Sequence, residues 1–173
     1  MIRTGWVALT VWLAASIPAV ALANAEIEEA LAGLPSIQGP PVAASALEGR
    51  VLMVVFFASW CPPCRKEFPA LDKVQDAYET AGLRVIAVNV FETFDGLSTP
   101  EKLARFLAET APKFSILKGD RAIRRLFFDL DRIPTIFVFA RDGQLATVFR
   151  HECGATKTHL TEAELRAAVE PLL

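Results

Sequence analysis

Cysteine is scarce in this chain: Cys61, Cys64 and Cys153 are too few for a disulfide scaffold, and pairing two of them leaves one over. Histidine is scarcer, at two residues, so a zinc site would have to draw Cys153, His151 and His159 from far along the chain. A dominant charge is also missing. The 18 basic and 20 acidic residues leave a net charge of −2, and no basic run interleaves with aromatics, which argues against a nucleic-acid partner. There is no internal repeat and no low-complexity tract. At 173 residues the chain suits one domain with a full core and is short for two.

Charge is nearly absent from the N-terminal segment. Arg3 is the only charged residue before Glu26, and Trp6 to Ala23 is almost wholly apolar, with Pro18 past its middle. Ala21-Leu22-Ala23 and Ala23-Asn24-Ala25 place small residues at the spacing a signal peptidase needs, so residues 1–23 read as a signal peptide. The alternative is a membrane anchor over residues 6–23, which at about 18 residues sits at the lower limit for a bilayer span. On either reading the remainder is periplasmic or otherwise exported, in a compartment that permits disulfide chemistry. Residues 24–33 read as a leader, either a helical turn or a mobile tether, and residues 34–173 as the domain.

Within the domain the pattern is α/β. After a lead-in punctuated by Gly39-Pro40-Pro41 and Gly49, Val51 to Phe57 is an unbroken apolar run, short enough for a strand buried on both faces. Phe68, Leu71, Val74 and Tyr78 then recur at helical spacing until Gly82, with Pro69 interrupting, and Arg84 to Val90 reads as a second buried strand. A polar loop, Phe91 to Thr99, leads to a helix opened by Pro100, with Ser98 and Thr99 competing as its cap. Phe114 to Leu117 is a short extended piece, and Asp120 caps a helix carrying Ile123, Leu126, Phe127 and Leu130. Two strands, Thr135 to Ala140 and Leu145 to Phe149, join through Asp142-Gly143, and a capping box of Thr161 and Glu164 opens the last helix. This order implies a mixed central sheet with helices on both faces.

The informative spacing is Trp60-Cys61-Pro62-Pro63-Cys64, placed where the first buried strand gives way to a helix. A thiol at a helix N-terminus meets unpaired N–H groups and the positive end of the helix dipole, both of which favour its anion. Cys61 is therefore the expected attacking sulfur, with a thiol pKa below the ordinary range. Cys64, one turn inside the helix, is the expected shielded partner. Pro62 and Pro63 supply no backbone donor, and no histidine lies between the cysteines to stabilise a thiolate further.

At these residues the chain resembles thioredoxin and, within that superfamily, the TlpA-like exported branch that includes cytochrome c maturation reductases. The resemblance runs from about Leu34 to the C-terminus and rests on FFASWCPPCRKEFP, Ile133-Pro134-Thr135, Arg141-Asp142-Gly143 and Gly154. It implies a thioredoxin-like fold and a redox-active disulfide between Cys61 and Cys64 that needs neither cofactor nor metal. It assigns Pro134 as a cis-proline facing the cysteines, Ile133 as backbone presented to a partner chain, and Trp60 as docking surface. From the residues alone, the alternatives are a trans proline opening a strand at Pro134 and a core aromatic at Trp60.

The chain departs from thioredoxin at Val55, where thioredoxin carries a buried acid; valine cannot move a proton. Glu67, three residues after Cys64, matches a glutamate of the TlpA-like branch that takes this part, and the alternative is a solvated helix carboxylate. Arg65 and Lys66 read as solvated, with charge that mildly favours a nearby thiolate. Cys153 reads as an inert thiol, a partner contact, a dimer link or, with His151, a metal ligand; His159 reads as a surface residue.

These features imply a thiol–disulfide oxidoreductase, in the leading reading a reductase. Its partners would be exported cysteine-containing proteins, of which apocytochrome c and metal-site proteins are typical for the family, and a membrane or soluble electron donor. An oxidase or isomerase would use the same residues in the opposite direction. A thioredoxin-fold copper carrier is disfavoured because no methionine or histidine adjoins the cysteines. A peroxidase is disfavoured because Ala58 stands where peroxiredoxins have threonine.

Overall fold

The computed structural model describes residues 19–39, 41–152 and 154–173, with side chains from Ala25 onward apart from Asp95. Most of the segment read as a signal peptide or anchor, and Cys153, lie outside the described residues. Six strands form one sheet: β1 (Ser36–Gln38), β2 (Val51–Phe57), β3 (Leu83–Asn89), β4 (Ser115–Lys118), β5 (Thr135–Phe139) and β6 (Leu145–Arg150), in the order β1-β4-β3-β2-β5-β6. β2 runs parallel to β3 and antiparallel to β5, and β3 runs parallel to β4; β1 and β6 are antiparallel edge strands.

All seven residues of β2 are buried, as an apolar run covered on both faces requires. Its side chains alternate. Val51, Met53, Val55 and Phe57 enter one core with Phe68, Phe106 and Leu165, whereas Leu52, Val54 and Phe56 enter another with Ile123, Phe127 and Phe137. The first core is roofed by α2 (Pro62–Tyr78), α3 (Pro100–Thr110) and α5 (Glu162–Val169). The second is roofed by α1 (Ala19–Ala32) and α4 (Arg121–Leu126). The expected mixed sheet with helices on both faces is thus present.

The caps follow the sequence. Thr99 Oγ1 accepts from Lys102 N at the start of α3, and Asp120 Oδ1 accepts from Ile123 N at the start of α4. Thr161 and Glu164 form the reciprocal capping box of α5. The β5–β6 hairpin closes through Arg141-Asp142-Gly143, with Gly143 at φ 78° in the left-handed region that glycine enters freely.

Residues 24–33, expected as either a helical turn or a mobile tether, take the helical alternative: they belong largely to α1, whose Leu31 is fully buried and whose Ile27 and Ala30 pack on the same core. The spacing of Ile27, Ala30, Leu31 and Leu34 is that of a helix stripe docking on a sheet. One reading needs correction: α4 ends at Leu126 rather than continuing to Leu130, because Phe128 (φ 59°) and Asp129 (φ 51°) turn the chain left-handed. Among the described residues no helix is long and apolar enough to cross a membrane.

Candidate active site

β2 ends at Phe57, and the chain turns through Ala58, Ser59 and Trp60 before α2 begins at Pro62. Cys61 is the N-cap residue of α2, with φ −89° and ψ 107°, and Pro62 and Pro63 occupy the first positions of the helix. Proline suits these positions because their N–H groups have no partner within the helix. Cys61 is disulfide-bonded to Cys64, with Cα atoms 5.4 Å apart. Because residues 62 and 63 carry no N–H, the amide of Cys64 is the first of the helix available to the Cys61 sulfur, and it donates to Sγ at 3.3 Å.

Cys64 is shielded as expected, at 1% exposed, and Cys61 is also enclosed, at 4%. Their surroundings differ more than these values do. Cys61 lines an open cleft of about 540 Å³ together with Trp60, Pro62 and Arg65, and Cys64 does not. Of the two cysteines it is Cys61, the one expected to attack, that lines this cleft.

The turn before Cys61 is held by a residue that sequence reading missed. The Glu92 carboxylate accepts from Ser59 N at 2.9 Å and from Ser59 Oγ at 3.2 Å, and Ser59 Oγ lies 2.7 Å from Ser98 Oγ. Trp60 is fixed as well. Its indole Nε1 donates to Phe91 O at 2.9 Å, and its ring stacks on Phe94 with centroids 6.0 Å apart. Trp60 is half-buried, so one side of the ring packs on the core while the rest remains at the surface.

The Ile133–Pro134 peptide bond is cis. Thr135 pairs with Phe56, so Pro134 stands in register with Phe57, the residue from which the chain turns toward Cys61. Pro134 O accepts from His151 N at 3.2 Å, and Ile133 packs against both cores. His151 Nδ1 is buried and has no hydrogen-bond partner among the described residues. His159 lies apart, its Nδ1 3.1 Å from Thr158 Oγ1. Among the described residues, no group of three or more His, Cys, Asp or Glu is placed to hold a metal ion.

Glu67 is not solvated. It is fully buried one turn after Cys64, its Oε1 accepts from Leu160 N at 2.7 Å, and its Oε2 has no partner. Burial raises its pKa from 4.5 to about 7, and the Leu160 hydrogen bond opposes part of that rise. Val55 is buried in the same core and carries no proton. Arg65 also departs from the solvated reading: it is half-buried, pairs with Glu109, and lies over the Phe106 ring at 5.0 Å. Lys66 is exposed.

Comparison with known proteins adds a family and a fold. Residues 15–169 match the Redoxin family. The thiol–disulfide oxidoreductase ResA of Bacillus subtilis is 28% identical over 118 residues, covering 66% of this chain and 61% of its own length, so the chain spans about three fifths of that relative. A secreted disulfide oxidoreductase of Mycobacterium tuberculosis, homologous to E. coli DsbE, superposes with a TM-score of 0.66 at 20% identity, over 83% of this chain and 98% of its own. A thioredoxin-family thiol:disulfide interchange protein of Chlorobium tepidum gives 0.65 at 24% identity, over 80% and 90%. The fold is therefore thioredoxin-like, and these matches are consistent with the resemblance to the TlpA-like branch.

Proposed function

We propose that this chain, which belongs to the Redoxin family, is a thiol–disulfide oxidoreductase that reduces disulfides of exported proteins through Cys61 and Cys64. The observation that carries the reading is a bonded cysteine pair at a helix N-terminus, of which Cys61 and not Cys64 lines an open cleft. In the reduced protein, Cys61 thiolate attacks one sulfur of the partner's disulfide, and the partner's second sulfur leaves as a thiolate. Cys64, losing its proton, then attacks Cys61 Sγ, which closes the Cys61–Cys64 bond and releases the partner's first sulfur. Two electrons pass to the partner, and a dithiol donor, soluble or in the membrane, must return them.

Glu67 is the candidate proton acceptor for Cys64, one helical turn away and with a carboxyl poised near neutral pH. Trp60, Ile133 and Pro134 are the candidate docking elements for the partner's chain around its cysteine. The reducing direction is supported by how few hydrogen-bond donors the helix offers the Cys61 sulfur. Two prolines remove the first amides of the helix, leaving Cys64 N as donor, and no histidine intervenes. A less stabilised thiolate gives up its electrons more readily, since strong oxidants are those whose reduced form is stabilised. The relatives named as oxidoreductases and a neighbour described as secreted support the activity and an exported location.

Cys64→Ser protein should accumulate mixed disulfides through Cys61 when expressed in its host. Recovery of no such adducts would remove the reading. The direction is settled by the reduction potential of the Cys61–Cys64 couple: a value near about −120 mV, that of a strong oxidant, would replace reductase with oxidase.

A further inference from the structure

The cleft on which Cys61 opens has a charged lining that is wholly cationic: Arg65 and Lys66 from the start of α2, and Lys102 and Arg105 from α3. In a chain of net charge −2, this is local segregation rather than a consequence of composition. Arg65 is matched by Glu109. Lys102 Nζ donates to Leu97 O at 2.7 Å, a bond that satisfies a hydrogen but leaves the charge uncompensated. Lys66 and Arg105 are exposed, and among the described residues neither they nor Lys102 form an ion pair. Beside these cations lies an apolar shelf. Phe94 (54% exposed) stacks on Trp60, and Leu97 (42% exposed) lines the cleft.

We propose that this cleft receives an acidic segment of the partner protein, with carboxylates flanking the partner's reactive cysteine set against Lys66, Lys102 and Arg105. The proposal rests on the disulfide-exchange reading above and names the substrate class of that site. Three cations that have no ion pair among the described residues line the cleft shared with Cys61; they attract an acidic segment during encounter and repel a basic one, so the charge selects partners. An apolar side chain of the same segment would rest on Phe94 and Leu97, which adds area without altering the charge preference. Two helices distant in sequence converge on one cleft here, so the charge is organised around the sulfur rather than spread along a solvated helix face.

The test uses the reduced full chain and three synthetic peptides that share one intramolecular disulfide and differ only in flanking residues: glutamate, lysine or glutamine. In each reaction the peptide disulfide is reduced to two thiols as Cys61 and Cys64 are oxidised to their disulfide. At about 10 mM salt, where the screening length is about 30 Å, the acidic peptide should react at least about tenfold faster than the basic one. The ratio should approach one at about 1 M salt, where the screening length is about 3 Å. It should also fall below one in K102E/R105E. Reading a ratio within one protein cancels any change in the Cys61 thiol itself.

Equal rates at low salt, or a ratio insensitive to salt, overturn the proposal while reduction of the glutamine peptide leaves disulfide exchange standing. Failure to reduce even the glutamine peptide overturns both. Oxidised glutathione, a small anionic disulfide, should gain little over the glutamine peptide; a gain matching that of the acidic peptide would make this a small-molecule site and overturn the proposal.

Discussion

The two faces of the central sheet are built from the same material and do different things. On one, Phe56, Phe127, Phe137 and Phe139 meet largely edge to face, with Phe56 and Phe127 centroids 4.8 Å apart. On the other, Phe57, Phe68, Phe106 and Phe114 form a comparable cluster, with Phe57 and Phe68 also 4.8 Å apart. Among the described residues, only the second face also holds a disulfide and a buried carboxyl with an unpartnered oxygen. The candidate site thus lies on one side of the strand. The strand's alternation achieves this, since neighbouring residues such as Phe56 and Phe57 serve opposite layers.

Substitutions on the two faces should separate stability from chemistry. The largest effect is expected from Cys61→Ser, which removes the attacking sulfur: reduction of a small disulfide should vanish while circular dichroism shows a folded protein. On the opposite face, Phe127→Ala should cost about 3–5 kcal/mol of stability, as emptying a packed aromatic site does. It should lower the denaturant midpoint and leave the exchange rate per folded molecule intact. Loss of exchange in that folded variant would show that the faces are not independent.

Glu67→Gln tests whether the buried carboxyl is ionisable in the working range. Below about pH 4.5 the group is protonated in folded and unfolded chains alike and has no influence. Between 4.5 and about 7 the unfolded chain ionises first while the folded one keeps its proton, so stability falls as pH rises. The loss should reach about 3 kcal/mol above neutrality. A glutamine side chain cannot ionise, so in E67Q this slope should flatten, and any bend near pH 7 in the rate of mixed-disulfide resolution should disappear with it. Parallel stability profiles for the two proteins would return Glu67 to an ordinary structural role.

The smallest effect is expected where the reactive face is merely braced. Thr161→Ala breaks the capping box beside Leu160, whose amide holds Glu67. The loss should be about 1 kcal/mol, read as a fall of about 2–4 °C in Tm with exchange nearly unchanged.

Much of this was legible in the residues. The buried strand Val51–Phe57, the caps at Asp120 and Thr161, and the placement of Cys61 at a helix start follow from local pattern, and local pattern is what short-range sterics and hydrogen bonds enforce. For residues 24–33 the sequence left a helical turn and a mobile tether both open, because Glu26, Glu28 and Glu29 hide the docking face until the sheet is in place. Glu92 carried no signal at all: its carboxylate grips Ser59, 33 residues earlier. Burial of Glu67 was equally invisible, since its neighbour Leu160 is 93 residues away.

Sequence alone determined which atoms can react, because two sulfurs one helical turn apart at the mouth of a helix are a matter of spacing and chain direction. Tertiary structure alone decided their environment. It brought Lys102 and Arg105 beside Cys61, closed apolar layers over Glu67, and set Glu92 under the turn that carries Trp60. Those contacts join segments tens of residues apart. Their energies arise from burial and converging charge, which exist only once the sheet has brought the helices together.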